Sequence, residues 1–304
     1  RLFKLAVPSL MASSITQVNL LISNVFTSGF SEGSVTALRN ANDTWQLPYG
    51  IFAMGMGVAL LPTLSEKSAL DQKDDFRNIL NKGLRTVLLL NIPSAVGLVV
   101  LNIPVISAIY KWSDKVDIAT TGKILAFYFV ALVSQSILAI INRAFYAIND
   151  TKTPLYNGII IIMTNAIFCQ FFNSVTNLGV AGIALAYSLS SLINTCILVA
   201  RLNNKIQAIR TNDLMKFILK VSLASAVMGL LLWAVNGLIP IDFLRPFSVV
   251  GKLIELLYLL LEILIGVVVY FSIVYLTKVE EAVEMVKTAL DKARQCVRKI
   301  LKFF

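Results

Sequence analysis

Long apolar runs recur along most of this chain, and they limit what it can fold into more than any other feature. Residues 158–172, for example, carry no charge and do not alternate polar with apolar positions. A helix needs about 20 mostly apolar residues to cross a bilayer, whereas strands of a membrane β-barrel alternate. The chain is 57% hydrophobic and 14% charged, against about 25% charged residues in soluble domains. We therefore predict an all-α polytopic membrane protein.

The apolar runs divide into about eight membrane-spanning helices. They cover residues 2–29, 35–61, 84–110, 124–148, 155–173, 180–202, 217–239 and 253–277. A charged segment, residues 278–304, follows, and its apolar residues recur at helical spacing. We expect this amphipathic tail to lie along the membrane surface or to pack on cytoplasmic loops.

The basic residues favour one side of these spans. If successive connections lie on alternate sides of the membrane, 21 of the 27 Lys and Arg residues fall on one side and 5 on the other, while Arg39 lies within the second span. Basic residues keep loops in the cytoplasm, so we predict that both ends of the chain are cytoplasmic. The same rule accounts for the net charge of +10, and we expect no nucleic-acid partner.

Residues suited to covalent catalysis are not arranged for it. The chain has no His, and its three Cys residues share no spacing typical of a metal site or a disulfide. No Gly-rich phosphate loop, Ser–His pair or pair of carboxylates stands out. We expect a protein that is not an enzyme and holds no metal or cofactor. The chain begins at Arg1 rather than Met, so we expect it to be part of a longer or processed protein.

Polar side chains in the first two spans are informative, because polar groups at membrane depth are costly unless they face protein or water. The first span contributes Gln17 and Asn19, and the second contributes Arg39, Asn42, Asp43 and Gln46. A short outer connection joins these spans, so both polar segments can line one water-filled cavity. Alternatively, the second span ends in the outer interface and Arg39 reaches water there. Residues four apart share a helix face, so we predict that Arg39 pairs with Asp43.

A proline lies in the middle of the second span. Pro48 removes a backbone hydrogen bond, and Gly50 follows it, so we predict a bend at this point. Such a bend is either the hinge of a transporter that rocks between two states or a static kink.

Two acidic residues lie within the last span. Glu255 and Glu262 are seven residues apart and therefore share one helix face. Two interpretations stay open for this pair: structural hydrogen bonds between helices, or a role in binding substrate or protons.

Four segments together resemble the MurJ/MviN family of lipid II flippases. They are EGSVTALRNANDTWQLPYGIF with LLPTLSE, NKGLRTVLLLNIPSAVGL, RAFYAINDTKTP and LGVAGIALAYSLSSLIN, in the family's order between Glu32 and Asn194. The resemblance implies the multidrug/oligosaccharidyl-lipid/polysaccharide exporter fold, which has fourteen helices in two lobes around a central cavity. The eight spans would be the seventh to fourteenth helices. Residues 1–202 would form the C-terminal lobe, residues 203–277 two further helices with a groove for a lipid tail, and residues 278–304 the tail of the chain.

The resemblance also implies a substrate. Members of the family move the undecaprenyl-linked peptidoglycan precursor, lipid II, across the bacterial cytoplasmic membrane. Expected partners are lipid II, membrane lipids, an N-terminal lobe that these residues lack, and cell-wall synthesis proteins. An arginine suits the diphosphate of this lipid because its donors match two oxygens at once.

One family motif departs from its usual form in this chain. Many members read ADRLMQLP where this chain reads ANDTWQLP. The family's Asp aligns with Asn42 and its substrate-contacting Arg aligns with Asp43, whereas Gln46 and Pro48 match. We hypothesise that Arg39, one turn earlier, supplies the missing positive charge.

Two further functions stay open from the sequence. One is a polysaccharide-unit exporter or drug/cation antiporter of the same superfamily, and a drug antiporter would use Asp43, Glu255 or Glu262 to bind cations. A non-transporting scaffold, or a remnant of a transporter, would instead bind a cell-wall enzyme through the basic tail.

Overall fold

The structure, a computed structural model, describes residues 17–111, 116–207, 209–238, 249–285 and 287. Helix α1 covers residues 17–27. The helices that follow are α2 (Ser34–Pro48), α3 (Gly55–Ala69), α4 (Lys73–Val100), α5 (Asn102–Tyr110), α6 (Ile118–Phe127), α7 (Phe129–Ala147), α8 (Lys152–Val175), α9 (Val180–Ile206), α10 (Thr211–Leu238) and α11 (Val249–Leu276). The start of the predicted first span and most of the predicted tail lie outside the described residues.

Seven helical segments of the described chain are long and apolar enough to cross a membrane. They are Ser34–Ala69, Lys73–Val100, Phe129–Ala147, Lys152–Val175, Val180–Ile206, Thr211–Gly237 and Gly251–Leu276. Each overlaps one of the predicted spans from the second to the eighth. The predicted all-α, multi-pass membrane architecture is confirmed.

Two predicted spans are each divided into two helices. The predicted span 84–110 comprises the end of α4 and the whole of α5, which meet at Leu101. Pro104 lies within α5 and has no N–H for the carbonyl of Val100, so a continuous helix would lose a bond there. The predicted span 124–148 likewise contains a break, at Tyr128 between α6 and α7. Helix α6 begins earlier than predicted because Asp117 caps it, accepting the N–H of Thr120 at 3.0 Å.

Helices α10 and α11 pack against the outside of α4. Gly229 on α10 approaches α4 so closely that a Cβ there would lie 2.7 Å from Cγ1 of Val96. Gly266 lets α11 approach α10 in the same way, since a Cβ there would lie 3.1 Å from Cδ1 of Leu232. The buried Tyr270 hydroxyl donates to the carbonyl of Leu89 at 2.7 Å and ties α11 to α4. The last two helices are thus attached to one flank of the preceding bundle.

Candidate functional site

A polar cavity of about 230 Å³ lies between α1, α2 and the helices α7–α9. Most of its polar lining consists of amide and tyrosine side chains: Asn19, Asn24, Asn42, Gln46, Gln135, Asn142, Asn157, Asn194, Tyr49, Tyr128, Tyr146 and Tyr187. Arg39 is the one charged residue among the described residues that line it. The cavity is therefore strongly polar but almost uncharged.

The structure brings four of the six predicted cavity residues together. Asn19, Arg39, Asn42 and Gln46 all line the polar cavity. Gln17 lies on an exposed face of α1 and does not line it. Asp43 also lies outside the lining, and its side chain is 54% exposed.

The helix α2 presents two distinct faces because its polar and apolar residues recur at helical spacing. Arg39, Asn42 and Gln46 follow one another at intervals of three and four residues, which places them on one side of a helix. Ala41, on the opposite side, is 0% exposed and belongs to the hydrophobic core, and Trp45, between the two faces, is 3% exposed and packs in the same core. Packing of this apolar face fixes the polar face toward the cavity.

The predicted ion pair within α2 forms, but it is loose. Arg39 Nε lies 4.0 Å from Asp43 Oδ2, and the Arg39 side chain is 73% exposed. Exposed pairs of this kind contribute at most about 1 kcal/mol. The guanidinium of Arg39 is therefore available to an incoming anion.

A buried amide contact holds Asn19 in place. Asn165 on α8 is 0% exposed, and its amide donates to Asn19 Oδ1 at 2.9 Å. Gln135 on α7 is held in a similar way, since its amide donates to Tyr187 and to Ser191 at 3.1 and 3.0 Å. These bonds connect helices that are distant in the sequence and fix part of the lining.

Other amide atoms of the lining have no partner among the described residues. They are Asn42 Nδ2, Asn157 Oδ1 and Asn194 Oδ1. Buried polar groups in proteins are nearly always hydrogen-bonded, because each one left unbonded costs about 1–3 kcal/mol. The cavity thus has spare hydrogen-bonding capacity that suits a bound polar group.

Aromatic rings form one wall of the cavity. The ring of Trp45 lies 5.8 Å from those of Tyr49 and Tyr128 and 6.2 Å from that of Tyr187. Trp45 and Tyr128 are buried in the core, whereas Tyr49 and Tyr187 are half-buried. A rigid aromatic wall beside polar groups is typical of small-molecule sites.

The sequence analysis missed the half of the cavity that lies on α7–α9. Gln135 and Asn142 are seven residues apart on α7, and Tyr187 and Asn194 are seven apart on α9. A spacing of seven brings polar residues to the same helix face. This pattern within apolar helices is the signal that could have identified them.

An irregular helical segment of the second span lies between two cavities. A six-residue π-helix, Tyr49–Met54, follows Pro48 directly and links α2 to α3. A proline that lacks its N–H and a widened turn both deflect a helix. Tyr49 lines the polar cavity, whereas Pro48 and Phe52 line a second one. The π-helix confirms the local irregularity, and the hinge role of Pro48 and Gly50 stays a prediction.

The second cavity is an apolar groove of about 320 Å³ between the π-helix, α4, α10 and α11. Its lining includes Leu90, Pro93, Leu98, Leu101, Met228, Leu232, Ile263, Val267 and Phe271. We call it the apolar groove. Its surface suits a hydrocarbon chain.

The two predicted acids of the last span line neither cavity. Glu255 is 6% exposed, pairs with Lys111 and accepts from the Ser107 hydroxyl at 3.1 Å. Lys252 donates to the Ser107 carbonyl. We call these four residues the buried charge cluster.

Glu262 lies deeper in α11 than the buried charge cluster. It is 0% exposed and lies one turn from Tyr258, which interacts with it. No salt bridge to Glu262 is present within the described part of the chain. The substrate or proton role of Glu255 and Glu262 stays a prediction.

Comparison with known proteins identifies one family. The family model described as "Lipid II flippase MurJ" matches residues 1–254. A probable lipid II flippase MurJ of Vibrio cholerae is 30% identical over 239 residues, which is 76% of this chain and 44% of the relative. That of Thermotoga maritima is 29% identical over 287 residues, 94% of this chain and 54% of the relative. The chain spans about half the length of these relatives.

The solved structures that superpose on this chain include a member of the same family. "Lipid II flippase MurJ, inward closed conformation" superposes with a TM-score of 0.71 at 29% identity, covering 90% of this chain and 54% of that one. An outward-facing multidrug resistance transporter of the MATE family and MOP superfamily gives 0.53 at 16% identity, covering 93% and 66%. The second likeness concerns the fold alone. The superfamily fold expected from the four sequence segments is confirmed.

Proposed function

The chain belongs to the lipid II flippase MurJ family, and from that premise we propose that it is the C-terminal part of a flippase. The complete protein carries the undecaprenyl-linked peptidoglycan precursor, lipid II, from the cytoplasmic to the outer leaflet of the bacterial cytoplasmic membrane. In this proposal the eight predicted spans are the seventh to fourteenth helices, and both ends of the chain are cytoplasmic.

The polar cavity is the observation that carries this proposal. Amide, hydroxyl and guanidinium groups are costly within membrane-spanning helices unless they face protein, water or a polar ligand. The cavity collects such groups from α1, α2 and α7–α9. A flippase needs this arrangement, because the head group of its substrate must cross the membrane interior away from lipid.

In this proposal Arg39 binds the diphosphate of the substrate. It is the one charged group of the described lining, and its side chain is 73% exposed. An arginine binds phosphate oxygens through two parallel hydrogen bonds. Asp43, where many relatives have an arginine, cannot bind an anion directly, so Arg39 takes over that function.

The apolar groove is proposed to hold the undecaprenyl tail. It lies on the far side of the π-helix from the polar cavity and is lined almost entirely by apolar residues. This assignment divides the chain into a C-terminal lobe at 1–202, two groove helices within 203–277 and a tail at 278–304. A head group in one cavity and a tail in the other would both contact the bent second span.

A second lobe completes the transport cycle in this proposal. Alternating access requires two bodies that rock around one site, and the chain spans about half of its relatives. The partners proposed are therefore lipid II, membrane lipids, an N-terminal lobe and cell-wall synthesis proteins.

Growth of a bacterium depleted of its own flippase tests this function. The bacterium would express either this chain alone or the same chain preceded by the N-terminal lobe of a MurJ relative. We expect only the two-lobed form to restore growth. Failure of both forms, with each protein detected in the membrane, would overturn the proposal.

A drug/cation antiporter of the same superfamily fits the site less well. Such a protein needs a carboxylate in its cavity, but Asp43, Glu255 and Glu262 are all absent from the lining of the polar cavity. A scaffold function would reside in the basic tail, which lies mostly outside the described residues. A scaffold function does not explain why polar side chains from several helices converge on one cavity.

A further inference from the structure

Three asparagines give the polar cavity a defined set of vacant hydrogen-bonding positions. Asn42 on α2 has an unbonded Nδ2, while Asn157 on α8 and Asn194 on α9 have an unbonded Oδ1, within the described part of the chain. Asn157 is 1% exposed and Asn194 is 6% exposed. All three line the same cavity. Buried atoms of this kind require an explanation, and a ligand supplies one.

The orientation of two of these amides is fixed by their other bonds. Asn157 Nδ2 donates to the backbone carbonyl of Asn194 at 3.0 Å, so Asn157 Oδ1 is the atom left over. Trp45 Nε1 can only donate, and it does so to Asn42 Oδ1 at 3.2 Å. The vacant Asn42 atom is therefore the Nδ2 donor. With Asn194 oriented as in the structure, the site offers two acceptors and one donor.

This pattern does not suit a phosphate. A diphosphate at neutral pH presents acceptor oxygens, which would repel the two amide oxygens of Asn157 and Asn194. A monovalent cation would satisfy these oxygens but not the Asn42 donor. A group that carries hydroxyl or amide donors as well as acceptors satisfies all three positions.

We propose that Asn42, Asn157 and Asn194 form a subsite for the neutral sugar part of the head group, and this inference rests on the proposed function. Sugar hydroxyls and acetamido N–H groups donate to the two amide oxygens, and an acetamido or hydroxyl oxygen accepts from Asn42. The half-buried rings of Tyr49 and Tyr187 offer faces of negative potential to sugar C–H groups.

The subsite and Arg39 divide the head group between them. Arg39 lies one helical turn from Asn42 and is mostly exposed, whereas Asn157 and Asn194 are buried. The diphosphate thus binds at the rim of the cavity and the sugar binds deeper. Recognition of the sugar is separate from recognition of the charge.

Asn194→Ala is the variant that isolates this contact. The bond between α8 and α9 uses the backbone carbonyl of Asn194, so removing the side chain deletes the vacant acceptor and keeps that bond. Asn91→Ala is the matched control. Asn91 is 0% exposed and also has an unbonded Oδ1, but it lies on α4 and lines neither cavity.

The experiment measures binding of two lipids to the complete protein in detergent, by native mass spectrometry. One lipid is a lipid II analogue without the peptide, which adds only the sugars to the diphosphate, and the other is undecaprenyl diphosphate, which has neither sugars nor peptide. We expect Asn194→Ala to weaken binding of the lipid II analogue about fivefold, the effect of one uncharged hydrogen bond, and to leave undecaprenyl diphosphate unchanged. Asn91→Ala should change neither affinity.

Three results would overturn the inference. Equal weakening of both lipids would assign Asn194 a structural role, and unchanged affinities would show that no sugar contacts it. If Asn194→Ala changed only the effect of sodium on lipid binding, the three asparagines would form a cation site instead. If the unsubstituted protein binds neither lipid, the proposed function itself fails, which is a different outcome from a selective failure of the sugar subsite.

Discussion

The polar cavity and the buried charge cluster both hold polar side chains inside the helical bundle, but they satisfy those side chains differently. In the buried charge cluster, Glu255 pairs with Lys111 and Lys252 donates to a backbone carbonyl. In the polar cavity, buried amide atoms stay without partners, and Arg39 holds Asp43 only at 4.0 Å. Satisfied groups fix helices to one another, whereas unsatisfied groups leave capacity for a ligand. Hydrogen bonding therefore distinguishes polar side chains that stabilise the bundle from those that can bind a ligand.

The largest effect expected is the loss of stability on Glu255→Gln. This substitution leaves two buried lysines, at 7% and 3% exposure, without their carboxylate. Removing one member of a buried ion pair costs about 3–5 kcal/mol. We expect a much lower melting temperature in detergent but unchanged lipid affinity for the folded fraction. An unchanged melting temperature would show that the cluster does not stabilise the bundle.

Arg39→Ala should weaken lipid binding without lowering the melting temperature. The side chain is 73% exposed, so its loss should leave the melting temperature nearly unchanged. Loss of a charge-assisted bond of about 1.5–3 kcal/mol would weaken undecaprenyl diphosphate binding at least tenfold. Asp43→Asn is the matched control, because it removes the loose pair and keeps the guanidinium. Intact lipid II transport by Arg39→Ala would contradict the role given to this residue.

The third region to compare is the apolar groove, next to which α10 packs closely on α4. Gly229→Leu would force α10 away from α4, because even a Cβ would lie 2.7 Å from Val96. Overpacking of this kind costs about 1–3 kcal/mol. Gly237→Leu is the control, since no atom lies within 4 Å of its added Cβ. We expect only Gly229→Leu to lower the melting temperature and lipid II affinity together, and equal effects of both substitutions would contradict the close packing.

The smallest effect concerns the connection between α7 and α8. Burial would raise the pKa of Asp150, but hydrogen bonds from Lys205 and Thr153 outweigh it and lower the pKa from 3.8 to about 2. A lowered folded-state pKa stabilises the protein above the unfolded value, and this contribution disappears as the pH falls from about 4 to 2.

Asp150→Ala should therefore reduce the free energy of unfolding by about 1 kcal/mol at pH 7 and lower the melting temperature there, with a much smaller effect at pH 2. Glu66→Ala, at an exposed position of α3, should have little effect at either pH. A constant difference between Asp150→Ala and the unsubstituted protein across this range would contradict the ionic role of Asp150.

The helical spans and part of the site could be predicted from the sequence because each depends on local pattern. Apolar runs of sufficient length fix the spans, and the spacing of Arg39, Asn42 and Gln46 fixes one face of α2. The exclusion of Asp43 from the cavity lining could not be predicted, because it depends on how α2 rotates to bury Trp45. The break at Leu101 has a sequence signal in Pro104 that the analysis of the apolar runs passed over, whereas the break at Tyr128 has only apolar residues beside it.

The contribution of α7–α9 to the cavity was harder to predict. Gln135, Asn157 and Asn194 are isolated amides in long apolar helices, and each alone is compatible with a structural bond between helices. The spacing of seven on α7 and on α9 indicates a shared face within each helix, and only the tertiary arrangement shows that these residues line one cavity. The buried charge cluster likewise joins α5 to α11, which are 144 residues apart at Lys111 and Glu255. Sequence spacing carries no information at that separation.

The central claim is that the polar cavity receives the head group while the apolar groove receives the tail. Photo-crosslinking tests it most directly, with two lipid II analogues that carry the reactive group on the peptide of the head group or within the tail. The account predicts crosslinks from the head group to peptides of α2, α7 and α9, and from the tail to α10 and α11. Crosslinks from the head group to the buried charge cluster or to α10, or from the tail to α7 and α9, would contradict it.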